Sequence, residues 1–182
     1  WLLITRASVF PMTILSAAIG GLFAARAPTA HWGYFVLCSL GLVLAHAANN
    51  MINDYFDLES GVDTESYVRT QYAPHPVLSG LVSKSGLLLA IAVVNLLDLG
   101  ILLYLTEQRG WPVALFPVLG LFVSVFYVAP PLQLKHRGLG EPGVFLVWGP
   151  LMIGGTYYVT TGDFAPWVLV ASLPYAMLVA AV

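Results

Sequence analysis

The segment Ser85–Thr106, SGLLLAIAVVNLLDLGILLYLT, contains a single charged side chain, Asp98. About 20 mostly apolar residues are enough for a helix to cross a bilayer, so this segment alone predicts a transmembrane helix. Five further stretches contain no Asp, Glu, Lys or Arg: Ala7–Ala25, Ala27–Asn53, Gly110–Leu134, Pro142–Gly162 and Phe164–Val182. We therefore predict an all-α, polytopic transmembrane bundle with six spans in this sequence.

The composition of the 182-residue chain leads to the same class. Hydrophobic residues make up 59% of the chain and charged residues 9%, whereas soluble domains have about 45–50% and about 25%. This excludes disorder, an ordinary soluble fold and a basic nucleic-acid binder. A single cysteine, Cys38, excludes an intrachain disulfide and a cysteine-built metal site. We expect residues 1–182 to form one transmembrane domain, truncated at both ends.

The charges concentrate on one side of the predicted bundle. If all six helices span, the N-terminus and the connections after the second and fourth helices share a side. Five basic residues lie there, namely Arg6, Arg69, Lys84, Lys135 and Arg137, and two lie opposite, namely Arg26 and Arg109. The positive-inside rule then makes the first side cytoplasmic. We expect a multi-pass protein of a bacterial or archaeal cytoplasmic membrane.

Amides and carboxylates accumulate where the second helix ends, in His46–Asp63, HAANNMINDYFDLESGVD. At 100° per residue, five of these side chains fall within an arc of roughly 100°: His46, Asn50, Asn53, Asp54 and Asp57. Ionisable groups in a membrane helix are costly unless they meet water, partners or a metal. Such oxygen ligands suit Mg²⁺, which proteins usually hold with one or two carboxylates plus substrate phosphates. The alternative is a helix-ending turn with solvated acids.

The basic residues on the same side fit a phosphate ligand. Arg69 and Lys84 lie in one connection, and Lys135 and Arg137 lie in the other. Arg can bind phosphate oxygens in pairs, whereas Lys acts as a point charge. Lys84 could equally be a snorkelling cation. Together, the acids and bases suggest a site for a Mg²⁺-bound diphosphate whose apolar tail lies between helices.

At this point the motifs resemble those of the UbiA-type polyprenyltransferases. The run Asn53-Asp54-Tyr-Phe-Asp57 is similar to that family's first aspartate-rich motif. Arg69-Thr70 with Pro76-Val-Leu-Ser79-Gly80 resembles the segment that follows it, and YVAPPLQLKHRGLGE, residues 127–141, resembles the family's Tyr…Lys loop. Asn50-x-x-Asn53-Asp54-Tyr and Gly61-x-Asp63 are most like the naphthoate branch, which makes menaquinone and phylloquinone.

The resemblance implies a fold of about nine helices, with the C-terminal part and a second aspartate-rich motif lying beyond Val182. It also implies an enzyme that transfers a polyprenyl group from its diphosphate to an aromatic acceptor in quinone biosynthesis, 1,4-dihydroxy-2-naphthoate in that branch. The implied metal ligands are Asn50, Asn53, Asp54, Asp57 and Asp63. The implied diphosphate ligands are Arg69, Lys84, Lys135 and Arg137. Two positions differ from the family pattern, because Asp63 lies two residues later than usual and His75 replaces an Arg.

Other polar residues have less definite roles. Tyr127, with Tyr157 and Tyr158, could present an aromatic face to developing positive charge. Glu141 could position the acceptor or take its proton, or it could pair with Lys135 or Arg137. We interpret Asn95 and Asp98 as a hydrogen-bonded pair joining neighbouring helices, and His46 as a hydrogen-bonded packing residue.

Two rival functions remain open on the sequence. The same chemistry could use another acceptor, such as a homogentisate, a hydroxybenzoate, a tetrapyrrole or a lipid. A membrane transporter could also place acids on its path, although transporter sites lie near the bilayer midplane rather than at a helix end.

Overall fold

A computed structural model describes residues 1–59, 61, 75–128 and 130–181. These residues contain helices and turns and no strand. A 3₁₀ turn, Ala7–Val9, precedes the first helix, and another, Leu134–Arg137, follows the fourth. The helices are α1 (Phe10–Ala24), α2 (Trp32–Glu59), α3 (Lys84–Arg109), α4 (Pro112–Val128), α5 (Gly140–Leu146), α6 (Met152–Thr161) and α7 (Pro166–Ala180). The prediction of an all-α protein is confirmed.

Each of the six predicted spans corresponds to helix in the structure. Among the described residues, three helices are long and apolar enough to cross a membrane by length and composition: Ala7–Ala24, α2 and α3. Pro112–Tyr127 and α7 are shorter apolar helices. The predicted span at Pro142–Gly162 consists of α5, a π-helical segment Val147–Leu151 and α6 in direct succession.

The π-helical segment lies where the chain has Pro150. Proline has no backbone N–H to donate, and an interrupted hydrogen-bond ladder can be accommodated by a wider turn. The Trp148 carbonyl in this segment accepts a hydrogen bond of 3.1 Å from the Ser16 hydroxyl of α1. The break in the helix is therefore tied to a neighbouring helix.

Small residues let the helices approach one another closely. A Cβ atom on Gly20 of α1 would lie 2.8 Å from the Ile153 carbonyl oxygen and 2.8 Å from Thr156 Cβ. A Cβ atom on Gly155 of α6 would lie 3.0 Å from the Phe116 ring of α4. Only glycine fits at these two contacts without a shift of the helices.

The outward face of α3 consists of large apolar side chains. Leu89, Leu96 and Leu103 repeat at seven-residue intervals, and each exposes more than 60% of its surface. Such a face is stable only against lipid or another apolar surface. It supports the assignment of α3 as a membrane helix.

Apart from Asp98, the described charges lie toward the two ends of the bundle. We call the end with Arg6, the last turn of α2, the first turn of α3 and Lys135 the acidic end. At the opposite end, the Arg109 guanidinium donates to the Val159 and Thr160 carbonyls, each at 2.9 Å. These contacts place Arg6, the end of α2, the start of α3 and Lys135 at one end, and the ends of α3 and α6 at the other.

The Gly20 contact can be tested with Gly20→Ala. An added methyl group at a filled helix contact costs about 1–3 kcal/mol, so the variant should unfold at a lower temperature than the wild type in detergent. The matched control is Gly100→Ala on α3, where no other atom lies within 4 Å. This control should retain or slightly raise the unfolding temperature, because alanine favours helix. Equal unfolding temperatures for both variants would contradict the close α1–α6 contact.

Candidate functional site

Two aspartates in the last turns of α2 form the centre of the acidic end. Asp54 and Asp57 are three residues apart, so their side chains lie on one face of the helix, and they are 1% and 2% exposed. Asp54 forms an ion pair with the Arg6 guanidinium. Lys135 Nζ lies 3.1 Å from Asp57 Oδ2. Each buried carboxylate thus faces a cation from a different part of the chain.

Arg6 contacts the buried aspartates of the acidic end through Asp54, although the sequence pattern assigned it only to the topology. The chain just before α1 reaches over the end of α2 through three adjacent residues. Ile4 packs with Met51, the Thr5 carbonyl accepts from Asn50 Nδ2 at 2.9 Å, and Arg6 meets Asp54. The one available signal was that Arg6 lies on the same predicted side as the acids.

Two of the predicted diphosphate ligands lie apart from this pair of aspartates. Lys84 Nζ donates to Glu59 Oε1 at 2.6 Å in an exposed ion pair, and it lies 5.4 Å from the centre of the Tyr55 ring. The Arg137 guanidinium donates to the Pro131 carbonyl at 2.9 Å. Lys135 is therefore the cation of its loop that contacts an aspartate.

The amide side chains beside the aspartates are buried as well. Asn50 is 5% exposed, and its Nδ2 donates a hydrogen bond to the Thr5 carbonyl. The Oδ1 atom of Asn53 is buried and has no hydrogen-bond partner among the described residues. An amide oxygen without a partner suits a metal ligand, because burying it unsatisfied costs about 1–3 kcal/mol.

The residues fit a Mg²⁺ ion that shares its coordination with a phosphate group. Asp54 and Asp57 with Asn53 Oδ1 supply the one or two carboxylates and a further hard oxygen that this ion takes. The described residues contain no group of three or more His, Cys, Asp and Glu side chains that could hold a metal by themselves. The predicted ligands Asp63 and Arg69 lie outside the described residues.

His75 has a structural role at the acidic end. It is 3% exposed, and its Nδ1 accepts hydrogen bonds from the backbone N–H groups of Val77 and Leu78 at 3.2 and 3.3 Å. The proton of the ring must then be on Nε2, which lies 3.3 Å from the Asp54 carbonyl and donates to it. His75 thus fixes the turn before α3 against the end of α2.

Tyr127, near the end of α4, lies beside Gly140 at the start of α5, and Glu141 is the next residue. A Cβ atom on Gly140 would lie 3.2 Å from the Tyr127 hydroxyl oxygen, so this glycine makes room for the ring. Glu141 is exposed in the first turn of α5. The described ion pairs join Lys135 to Asp57 and do not include Glu141, so the proposed pair of Glu141 with Lys135 or Arg137 is not formed.

The other two tyrosines lie away from the aspartates. The Tyr158 hydroxyl donates to the Arg109 carbonyl at 3.1 Å, at the opposite end. Tyr157 is buried against Trp167, with ring centres 5.9 Å apart. Neither ring is brought to the acidic end, so the prediction that they face the reacting group there is wrong.

A cavity of about 270 Å³ lies between α2, α3, α4 and the α5–α6 run. Its lining reaches Ile52, two residues before Asp54, and continues to Leu105 and Val113 near the opposite end. Most of the lining is apolar, so the cavity suits a hydrocarbon chain. It extends from the turn of α2 that precedes the aspartates into the membrane-spanning part of the bundle.

Several polar side chains interrupt this apolar lining. His46 is held by the Thr13 hydroxyl at 2.7 Å and by the Phe10 and Trp148 rings, as expected for a packing histidine. Asn95 and Asp98 also line the cavity. Asn95 Nδ2 donates to the Ile91 carbonyl of its own helix, and Asp98 has no hydrogen bond or ion pair among the described residues. The predicted hydrogen-bonded pair between helices is therefore wrong, because i and i+3 side chains share a helix face without specifying a partner.

Comparison with known proteins gives a consistent set of relatives. The chain is 28% identical over 162 residues to a 2-carboxy-1,4-naphthoquinone phytyltransferase of Synechocystis. This match covers 87% of the chain and 48% of the relative. It is 27% identical over 151 residues to a 1,4-dihydroxy-2-naphthoate octaprenyltransferase of Haemophilus influenzae, covering 81% of this chain and 49% of the relative. A protein of the same name from Bacillus subtilis is 27% identical over 136 residues, or 74% of this chain and 42% of the relative.

The chain spans about half the length of the curated relatives it matches. A search of the solved structures found no match. The model of the UbiA prenyltransferase family matches residues 14–182, which include most of α1, all of α2 through α7 and both aspartates. This chain is a member of the UbiA prenyltransferase family.

Proposed function

We propose that this protein is an integral-membrane transferase that moves a polyprenyl group from its diphosphate to an aromatic acceptor. The observation that carries the proposal is the pair of buried aspartates, each facing a cation, at one end of an apolar cavity. The aspartates suit the metal-bound diphosphate, and the cavity suits the hydrocarbon chain. Residues 1–182 would belong to one transmembrane domain.

The acidic end is suited to binding the diphosphate. We propose that Asp54, Asp57 and the Asn53 amide oxygen hold Mg²⁺, with Asn50 or Asp63 completing the set. The bound ion would neutralise charge on the diphosphate leaving group. Arg6 and Lys135 already face the two aspartates and would bind phosphate oxygens that enter between them. Arg69, Lys84 and Arg137 would add further positive charge on the same face.

The reaction breaks the allylic C–O bond and forms a C–C bond to the acceptor ring, which then loses a proton. As the bond breaks, negative charge grows on the diphosphate, and the Arg6 and Lys135 cations stabilise it more strongly than they stabilise the bound donor. Tyr127 can offer a ring face to the positive allylic group. Glu141, exposed at the start of α5, can orient the acceptor or accept its proton.

For the acceptor we propose 1,4-dihydroxy-2-naphthoate, in quinone biosynthesis. Three relatives are named as enzymes that prenylate a carboxylated naphthalene ring, and this supports the proposal. The acidic end would face the cytoplasm of a bacterial or archaeal cell, because five basic residues lie on that side and two lie opposite.

The reaction can be tested on membranes that contain the protein, with a labelled polyprenyl diphosphate and a panel of aromatic acids. We expect a labelled lipid product with Mg²⁺ and the dihydroxynaphthoate. The product should vanish with a chelator and return when Mg²⁺ is restored. Product with a homogentisate or a hydroxybenzoate instead would correct the acceptor. Absence of product with every acceptor would contradict the transferase proposal.

Asp54→Asn and Asp57→Asn should each reduce turnover by a factor of about 100 or more. Each variant removes a negative oxygen ligand while keeping the size of the side chain, and losing one such electrostatic contribution costs about 2.7–4 kcal/mol. The matched control is Asp163→Asn, because Asp163 accepts from Thr29 at the opposite end. It should keep wild-type turnover and membrane insertion. Wild-type rates in both site variants would exclude the proposed metal site.

Arg6→Gln should both destabilise the protein and weaken donor binding. Asp54 would be left without the Arg6 cation, which we expect to cost about 1–3 kcal/mol of unfolding free energy, and KM for the diphosphate should rise. Unfolding in detergent and steady-state kinetics measure the two effects. The matched control is Arg26→Gln, an exposed cation at the opposite end, which should change stability by less than about 0.5 kcal/mol. An equal response of both variants would show that Arg6 has no special role.

A further inference from the structure

One carboxylate lies deep in the cavity, far from the aspartates that bind the diphosphate in the proposed function. Six residues of α3 line the cavity, and four of them lie on successive turns: Asn95, Asp98, Leu102 and Leu105. They are met in this order along α3 from the acidic end, and the first two are polar whereas the last two are apolar. Asp98 therefore marks the boundary between a near part and a far part of the cavity.

The Asp98 carboxylate points at α2. A Cβ atom on Gly41 would lie 3.0 Å from Asp98 Oδ1, so the absence of a side chain there makes room for the carboxylate. Gly41 itself lines the cavity. Any chain that runs along the α2–α3 wall must pass this oxygen.

The depth of Asp98 follows from helix geometry. Gly41 lies 13 residues before Asp54 on α2, and Asp98 lies 14 residues after Lys84 on α3. At 1.5 Å per residue, both counts place the carboxylate about 20 Å below the acidic end. An extended chain advances about 3.5 Å for every three bonds, so roughly four isoprene units, at four bonds each, cover that distance.

Contact with a hydrocarbon chain is unfavourable for the Asp98 carboxylate. No hydrogen bond or ion pair of Asp98 is found in the described part of the chain, so water in the cavity is the available partner. A chain that extends past Asp98 displaces that water and offers no hydrogen bond in return, which is unfavourable for a polar group and more so for a charged one. A chain that ends before Asp98 avoids this loss.

We propose that Asp98 is a specificity-determining residue that limits the donor to a chain of about four isoprene units. The inference rests on the proposed function, because it requires the prenyl chain of the donor to occupy the cavity with its diphosphate at Asp54 and Asp57. It gives a role to a membrane-embedded acid that the transfer reaction itself does not use.

The test compares kcat/KM for a four-unit and an eight-unit all-trans prenyl diphosphate with the same acceptor. The wild type should prefer the four-unit donor. Asp98→Leu should raise the ratio of eight-unit to four-unit kcat/KM about tenfold, equivalent to about 1.4 kcal/mol, while four-unit turnover persists. Asp98→Asn removes the charge and keeps a polar group, so it should raise the ratio by less. It also keeps the test decisive if the leucine variant does not fold.

Leu102→Ala is the matched control, because it enlarges the cavity one turn deeper without changing a charge. This variant should leave the ratio at the wild-type value. Three results would each overturn the role of Asp98 and leave the transferase proposal standing. They are an unchanged ratio in active Asp98 variants, an equal rise of the ratio in Leu102→Ala, and a wild type that prefers the eight-unit donor. A lack of product from both donors would instead overturn the transferase proposal, and the inference with it.

Discussion

Burial of the two aspartates at the end of α2 is the constraint on which the rest of the acidic end depends. Carboxylates that are nearly shielded from solvent at a membrane helix end must be balanced by cations, hydrogen bonds or a metal. The chain supplies the balance from regions far apart in sequence. Arg6 comes from the segment before α1, and Lys135 comes from the turn after α4. The need to neutralise two charges therefore gathers the loops of this end around one helix.

The same constraint places the cavity. Since α2 carries the aspartates at its end and lines the cavity along its length, one helix joins the polar and apolar parts of the site. The surrounding helices approach one another closely where side chains are small, at Gly20 between α1 and α6 and at Gly155 between α6 and α4. Close packing at those points leaves the remaining free volume between α2, α3 and α4. The polar end and the cavity therefore share one helix, α2.

The sequence predicted the helices well because stretches without charge in a membrane protein have few alternatives. Helical periodicity also predicted that Asp54 and Asp57 share one face of α2, where the structure buries both carboxylates. It could not select the partners of these residues. Arg6 and Asp54 are 48 residues apart, and no local pattern distinguishes Lys135 from Arg137, two residues away, although only the former reaches an aspartate. The prediction that Asn95 and Asp98 join neighbouring helices was wrong for a related reason. Their spacing on one helix does not indicate which side chain of a neighbouring helix lies opposite.

The charged ends of α3 have a mechanical consequence. The uncharged length from Ser85 to Thr106, apart from Asp98, is about 33 Å at 1.5 Å per residue, slightly more than the hydrocarbon thickness of about 30 Å. Lys84 is attached to Glu59 on α2, and Arg109 is attached to the end of α6. A thinner bilayer must therefore tilt α3 together with both partners rather than let it slide alone. Because Glu59 follows Asp57 by two residues, membrane thickness is coupled to the geometry of the acidic end.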